Sequence, residues 1–547
     1  MLSTWERELT SDPDRTYLLD GITHGFQLLP KESVVAPAEQ ANYFSATAPE
    51  NRDKVEQTIL EELKSGNYVI SSSKPSIISA IGAIPKPDSQ EICLIHDCSM
   101  PRGRGVNSYI SVDSYKYQTV DDAVKLIRPG SWLAKLDIRH AYRHVGIHPS
   151  NFMAPGLKWQ FSGDCTPTYM YDTRLPFGAR SAPSIFHRLS QAIRRMMLRR
   201  GFYVVAYLDD FLIIGATKDE CEKGYNILYN LLLELGFTLS AHKAVLPCQQ
   251  LIFLGIQFDT VRLTLSLPTV KLAELHTQVK DFLRKSCVSK RDLQRLVGKL
   301  NWACRVVYGG RTFLRRTIDL MNTLHRPRSM CSISKEMQLD LQWWDSFLTT
   351  FNGQCSFFDS RPITDLQTDA CSVGAGAYWQ GDWAYWNFHS DLPELSNLHI
   401  NFKECLCIVL AALRWASQWQ NRHIIVYCDN QAAVAMINKG STGNPVMMTY
   451  LRLLFWLSAS FNFRITAKYV PGKDNDVADC ISRLHEPPMM LKWAHWLSET
   501  TLQMSFINLL NFMSFSTYMW LLQYFTYLSS FSFSFRYPGE NVGTGSD

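Results

Sequence analysis

The stretch YLDDFLIIG, Tyr207 to Gly215, puts two adjacent carboxylates inside one of the most apolar parts of the chain. Neighbouring like charges repel, and burying either one costs several kcal/mol unless a positive charge compensates it. A strand, a tight turn carrying Asp209 and Asp210, and a second strand would lift both acids to the edge of a sheet. The flanking apolar residues are then the two strands of a hairpin. A divalent cation would explain why two acids are kept there, because Mg²⁺ takes hard oxygen ligands and usually one or two carboxylates. A solvated turn is the plainer reading of a single Asp-Asp pair.

A third acid weighs against the plainer reading. In KLDIRHAYRHVGIHP, Lys135 to Pro149, Asp137 closes the apolar run WLAKL and precedes a helix-like turn. Cations shared by such acids can stabilise both the attacking and the leaving oxygen of an in-line phosphoryl displacement.

The 547 residues exceed what one core can organise, so three or four domains are expected. Hydrophobic residues at 46% and charged residues at 19% fit a globular chain, and the net charge of +5 is compatible with nucleic acid without demanding it. Fourteen cysteines form no CxxC pair, which points to free thiols in a reducing compartment and against a zinc finger. The polar start MLSTWERELTSDPDR does not look like a signal peptide. Between residues 81 and 265 strand-like runs alternate with helical ones, an α+β pattern. Residues 266–358 read as helical and basic, and from about 359 strands and helices alternate again.

Four motifs in order, LDIRHAY (136–142), LPFGARSAPSIF (175–186), YLDD (207–210) and FLG (253–255), resemble the palm motifs of reverse transcriptases. The resemblance implies a right-hand polymerase of fingers, palm and thumb. Asp137 and Asp209 would be metal ligands and Asp210 the supporting acid. Tyr142 would sit under the incoming sugar, and an aromatic ring there would exclude a 2′-OH. Phe177, Gly178 and Arg180 would lie against the nascent base pair and template, and FLG would grip the primer end. Lys243 occupies the place of a lysine that protonates the pyrophosphate leaving group; a solvated lysine is the plainer reading. Lys86, in IPKPDSQEICLIHD, matches the first lysine of a triphosphate clamp. The second basic residue of that clamp, usually Arg, is Cys93 here, which cannot make bidentate phosphate contacts. Two basic clusters, Arg188 to Arg200 and Lys290 to Arg316, are expected to grip phosphates, with an ordinary solvated face as the alternative.

A second set of acids follows. Asp369 in LQTDACSVGAGAYW, Glu404 in NFKECLCIVLAAL, Asp429 in IIVYCDNQAAV and Asp479 in YVPGKDNDVADCISR are spaced by 35, 25 and 50 residues. Together they resemble the two-metal carboxylate cluster of the ribonuclease H fold. That likeness implies cleavage of the RNA strand of an RNA–DNA hybrid, with Asn430 and Gln431 near the hybrid and Tyr469 where many members carry a histidine. The whole arrangement, with LQRLVGKLNWACRVVYGGRTFLRR between the two parts, looks most like the tyrosine-recombinase (DIRS or Ngaro) class of retrotransposons. The α+β multidomain chain is therefore expected to comprise an N-terminal extension (1–80), fingers and palm (81–265), a helical thumb and connection (266–358), a ribonuclease H-like domain (359–486) and an apolar tail (487–547). Expected cofactors are two Mg²⁺ or Mn²⁺ per active site. Expected partners are an RNA template, a DNA primer, RNA–DNA hybrid and deoxynucleoside triphosphates, with an element-encoded recombinase and a capsid-like protein beside them. The expected location is intracellular, in cytoplasm or nucleus. No charge occurs from Thr500 to Phe535, a run long enough for a bilayer but broken by polar residues. A membrane span and an aberrant or disordered tail are the two readings. A catalytically impaired, nucleic-acid-binding remnant is the alternative to an active enzyme.

Overall fold

The computed structural model describes residues 1–30, 33–85, 92–111, 114–351, 353–356 and 362–499. The chain divides into two units between Ser266 and Leu267.

The first unit opens with helices α1 (Leu2–Glu8) and α2 (Arg15–His24). Their Trp5, Leu9 and Leu18 are buried in the main core of the unit. Trp5 Nε1 donates to Leu235 O at 3.1 Å. Within the expected N-terminal extension (1–80), residues 1–30 thus send Trp5, Leu9, Leu18 and Phe26 into the core of the unit. The apolar spacing of the first thirty residues is too short to announce this, because its partners lie far along the chain. Helix α3 (Pro49–Lys64) packs Val55 and Ile59 against a smaller core that also holds Ile81 and Ala83. Ile81 and Ala83 come from β1 (Ala80–Pro85), which pairs antiparallel with β2 (Ile92–Asp97). The turn between them, with Lys86, lies outside the described residues.

Three central strands, β3 (Trp132–Asp137), β4 (Tyr203–Tyr207) and β5 (Asp210–Gly215), join β6 (Val245–Cys248) in the order β6-β3-β5-β4. All pairings in this sheet are antiparallel. Phe211, Leu212, Ile213 and Ile214 are all buried, so both faces of β5 are covered. Each such side chain contributes about 1.5–3 kcal/mol by leaving water. A slip of one residue would exchange the two faces, so the pairing register is strongly fixed. On one face lie α4 (Ala182–Arg199) and α5 (Lys218–Glu234). The spacing of Phe186, Leu189, Ile193 and Met197 makes the apolar stripe that seats α4. Next come β7 (Gln250–Phe253) and β8 (Ile256–Asp259), joined by Leu254–Gly255 with φ of 50° and 80°. Positive φ at both central residues is the signature of a type I′ hairpin turn.

The second unit begins with helices α6 (Thr269–Arg284), α7 (Lys290–Ala303), α8 (Arg315–Asn322) and α9 (Lys335–Thr350). Its sheet starts with the antiparallel meander β9 (Ile363–Ala370), β10 (Gly374–Trp379) and β11 (Asp382–Asn387). Helix α10 (Ile400–Trp415) leads to β12 (His423–Cys428), which lies parallel to β9. After α11 (Gln431–Lys439) and α12 (Pro445–Ser460), β13 (Arg464–Tyr469) adds parallel to β12. The strand order is β11-β10-β9-β12-β13. Asp340 of α9 is buried between Arg316 of α8 at 3.1 Å and Arg452 of α12 at 3.3 Å. Thr312 Oγ1 also donates to Gly440 O at 3.2 Å. These contacts bind the helical segment 310–350 to the sheet-bearing segment of the same unit.

Helix α13 (Asp476–Ser482) crosses β10, and α14 (Pro487–Glu499) buries Trp493 against Trp383. The first part of the expected tail is therefore a packed helix; residues 500–547 lie outside the described residues. Among the described residues no helix is long and apolar enough to cross a membrane.

Candidate active sites

Two acid clusters form, one in each unit. In the first, Asp210 is the register partner of Asp137 across β5 and β3 and of Tyr207 across β4. Leu208 and Asp209 are left as a two-residue turn between the strands. Leu208 adopts φ 52°, a left-handed conformation that costs a non-glycine residue about 1–2 kcal/mol. Ser190 of α4 holds that turn, its hydroxyl donating to Leu208 O at 2.6 Å. The backbone closes the cluster from the other side, with Ile138 N donating to Asp209 O at 3.0 Å and Ser240 N to Asp137 O at 2.8 Å.

Two lysines compensate the acids. Lys135 Nζ lies 3.0 Å from Asp210 Oδ1, and Lys243 Nζ lies 3.0 Å from Asp137 Oδ2. The other oxygen of Asp137 is buried without a hydrogen-bond partner. Burial pushes the Asp209 carboxyl up, and the charge of Asp137 adds to the rise. Burial also pushes Asp210 up to about 6, against the opposing pull of Lys135. Lys135 was legible in principle: two residues before Asp137 on the same strand, it shares its face. Sequence reasoning passed over it.

Tyr142 lies in a short 3₁₀ turn after β3, its ring 4.9 Å from Phe177 and 5.7 Å from Phe186. Phe177 remains partly exposed, whereas Arg180 Nη1 donates to Ile110 O at 3.3 Å. Gly178 has φ 129°, and a Cβ there would meet His96 O at 2.1 Å. Its close approach is thus to β2 of this chain, a contact that only glycine allows. Cys93 is exposed on β2, opposite Ile84.

Most side chains of the first basic cluster pair within this chain. Arg195 forms a fork on Asp12 at 2.8 and 2.7 Å and reaches Asp14 at 3.0 Å. Arg188 stacks over Tyr17 and pairs with Asp14, while Arg200 pairs with Glu8 at 2.7 Å. Arg194 Nε donates to Val204 O. These side chains fasten the N-terminal segment to α4, so the expected nucleic-acid grip would have to share them with the acids of that segment. In the second cluster Arg316 is engaged with Asp340 and Arg315 with Asp319, while Arg291, Arg295, Lys299 and Arg305 are exposed.

In the second unit Asp369 comes from β9, Glu404 from α10, Asp429 from the end of β12 and Asp479 from α13. Gly376 makes the crossing of α13 over β10 feasible, since a Cβ there would meet Ser482 N at 2.4 Å. Ser482 in turn donates to Asp369 Oδ2 at 2.6 Å, and Arg483 Nε donates to Asp479 Oδ1 at 2.9 Å. Burial pushes Asp369 up to about 6, with further repulsion from Asp429 and Asp479. Burial pushes Glu404 up to about 9, helped by Asp369 and Asp429. Asp429 is raised as well, chiefly by burial. Ligand atoms of Glu404, Asp429 and Cys428 all lie within 4.8 Å of one another. Cys428 was missed in the sequence, where it reads as one more apolar residue at a strand end. Asn430 caps α11, accepting from Ala432 N and Ala433 N, and Tyr469 is exposed at the end of β13.

Both clusters suit divalent cations. The first offers hard carboxylate oxygens, one of them buried and unpaired, and the second brings separate elements within one coordination radius.

Comparison with known proteins agrees with this division. A family model described as reverse transcriptase (RNA-dependent DNA polymerase) matches residues 84–258, and one described as reverse transcriptase-like matches residues 405–485. The genome polyprotein of Petunia vein clearing virus (isolate Shepherd) is 24% identical over 378 residues, covering 66% of this chain and 16% of that polyprotein. The Pol polyprotein from transposon 297 of Drosophila melanogaster is 22% identical over 395 residues, covering 70% of this chain and 34% of its own length. The chain thus spans a small part of the curated relatives it matches. A foamy viral protease-reverse transcriptase solved with double-stranded DNA shares the fold, with TM-score 0.50 and 17% identity over 86% of this chain and 96% of that one. The chain carries a reverse transcriptase domain followed by a ribonuclease H-like domain.

Proposed function

We propose that this chain copies RNA, and DNA, into DNA and cleaves the RNA strand of the resulting hybrid. The observation that carries the polymerase reading is the pairing of Asp210 with Asp137, which gathers three acids at one sheet edge inside the segment matched to reverse transcriptases. Divalent cations, Mg²⁺ or Mn²⁺ and two per centre, would be held by Asp137 and Asp209 with Asp210 in support, and by Asp369, Glu404, Asp429 and Asp479; when bound they supply the charge that stabilises an in-line phosphoryl displacement.

The chain's own residues do the remaining work. The hydrogen bond from Ser190 fixes the turn that carries Asp209, so its carboxylate is positioned before substrate arrives. The ring of Tyr142, packed against Phe177 and Phe186, would exclude the 2′-OH of a ribonucleotide and so select deoxynucleoside triphosphates. Lys243, held at Asp137 and half-exposed, can turn to a departing pyrophosphate and give it a proton. In the second centre Ser482 orients Asp369 by donating to one oxygen, leaving the other free to face the hybrid. The 2′-OH marks the RNA strand for cutting.

Primer extension on an RNA template and cleavage of a labelled hybrid test the two halves separately. Asp209→Asn should abolish extension and leave cleavage, and Asp369→Asn should do the reverse. Extension that survives Asp209→Asn overturns the polymerase assignment.

Membership of the tyrosine-recombinase class of retrotransposons, with a recombinase and a capsid-like protein as partners, is the finer reading; its support is the resemblance carried by residues 293–316. An intracellular site of action suits the free thiols. The second reading, an impaired nucleic-acid-binding remnant, is favoured by Cys93, which offers no phosphate-binding charge on β2.

A further inference from the structure

The two centres differ in one element, sulfur. Cys428 ends β12 immediately before Asp429, and its Sγ lies 3.8 Å from Glu404 Oε2. The thiol donates across that gap to Glu404 and accepts from Asn430 N at 3.4 Å, so its sulfur is held facing the carboxylate. Among the described residues, Glu404, Cys428 and Asp429 are the trio of acidic, thiol or imidazole side chains whose ligand atoms close to within 4.8 Å. Lys403, the lysine nearest in sequence, turns away to Ser372 O at 2.6 Å. The other thiol close by, Cys407, faces Gly376 O at 3.2 Å.

Three protein donors with an open fourth position are what a zinc-type cation takes, and thiolate softness selects such ions over Mg²⁺. We infer that the ribonuclease H-like centre holds a soft divalent cation of the Zn²⁺ or Cd²⁺ class through Glu404, Asp429 and Cys428, and that this ion arrests hybrid cleavage while the polymerase centre goes on working. As the metal–sulfur and metal–oxygen bonds form, the Sγ–H bond of Cys428 and the carboxyl O–H bond of Glu404 break, and both protons pass to solvent. An all-oxygen cluster such as Asp137, Asp209 and Asp210 gives a soft ion no comparable advantage. The arrest deepens the nuclease reading proposed above and rests on it; the metal site itself does not.

The test is a titration of the full chain with Cd²⁺ alone, following the ultraviolet sulfur-to-cadmium charge-transfer absorption. The wild type and Cys480→Ser, whose sulfur faces Met489 O instead, should bind alike. Cys428→Ser should lose the absorption from the tightest site and bind Cd²⁺ at least about tenfold more weakly. An unchanged titration in Cys428→Ser overturns the inference. Should that variant fail to fold, Glu404→Gln keeps the sulfur and must still weaken binding; unchanged affinity there overturns it equally. Hybrid cleavage with Mg²⁺ is measured beside it, with and without Zn²⁺. Absent cleavage with a Cys428-dependent Cd²⁺ signal removes the nuclease reading and leaves the metal site. Cleavage that Zn²⁺ does not arrest, with a signal independent of Cys428, removes the inference alone.

Discussion

The two acid clusters face the same electrostatic problem and meet it with different counter-charges. In the proposed polymerase centre, Lys135 and Lys243 each sit 3.0 Å from a carboxylate. In the proposed nuclease centre Arg483 sits 2.9 Å from Asp479, but among the described residues no ion pair reaches Glu404, which burial pushes up to about 9, against about 6 for Asp210. Where a buried acid lacks a fixed cation, it keeps its proton until a metal displaces it. The proposed polymerase centre therefore holds fixed counter-charges at Asp137 and Asp210, whereas Glu404 of the proposed nuclease centre must shed its proton as it loads.

Four measurements would sharpen or break this contrast. The largest effect is expected from Lys243→Met, which should slow primer extension by about a hundredfold and leave hybrid cleavage unchanged. Equal loss of both activities would show that Lys243 supports the fold rather than one centre.

The second measurement is pH. Glu404 is raised in the folded state from 4.5 to about 9, so the protonated form is the one the fold favours. Its stabilising contribution is complete below pH 4.5 and disappears as pH climbs to about 9. Without divalent cations, hydrogen exchange in α10 should accelerate over that window, and Glu404→Gln should flatten the dependence. Mg²⁺ should reverse the acceleration at the alkaline end. A profile in Glu404→Gln identical to the wild type would remove the proton-based account.

Third, Arg195→Ala should destabilise the first unit by about 2–3 kcal/mol in urea unfolding, because it strips a forked ion pair from buried Asp12. It should leave the salt dependence of nucleic-acid binding alone. Replacing exposed Arg295 and Lys299 together should do the opposite, lowering the salt slope by roughly two if both neutralise phosphates. The smallest effect is structural. Leu254→Asn, at φ 50° in the β7–β8 turn, should raise stability by about 1 kcal/mol, since asparagine tolerates the left-handed region better.

What could be read in advance follows the range of the interactions. The hairpin bearing Asp209 and Asp210 was legible because its strands, turn and acids lie within a dozen residues. Asp137 was legible from the same local logic, and Asp369, Glu404, Asp429 and Asp479 from their order. The anchoring of residues 1–30 was not legible, since Trp5 meets Leu235 and Asp12 meets Arg195, pairs that no local pattern connects. The acid partners of the α4 arginines were not legible, because a basic helix face suits acids of the same chain as well as phosphates. Cys428 escaped notice because a thiol at a strand end looks apolar until Glu404 of α10 is set against it.

Asp340 carries a consequence for how such sequences recombine. The acid on α9 is shared by Arg316 upstream and Arg452 downstream, so neither segment retains its charge balance when separated from the other. Exchange of the sheet-bearing segment between related sequences would therefore keep this acid and both its partners together only at crossover points ahead of α8. A cassette cut at residue 405, where the second family match begins, would inherit an orphaned guanidinium and the exposed ring of Phe455.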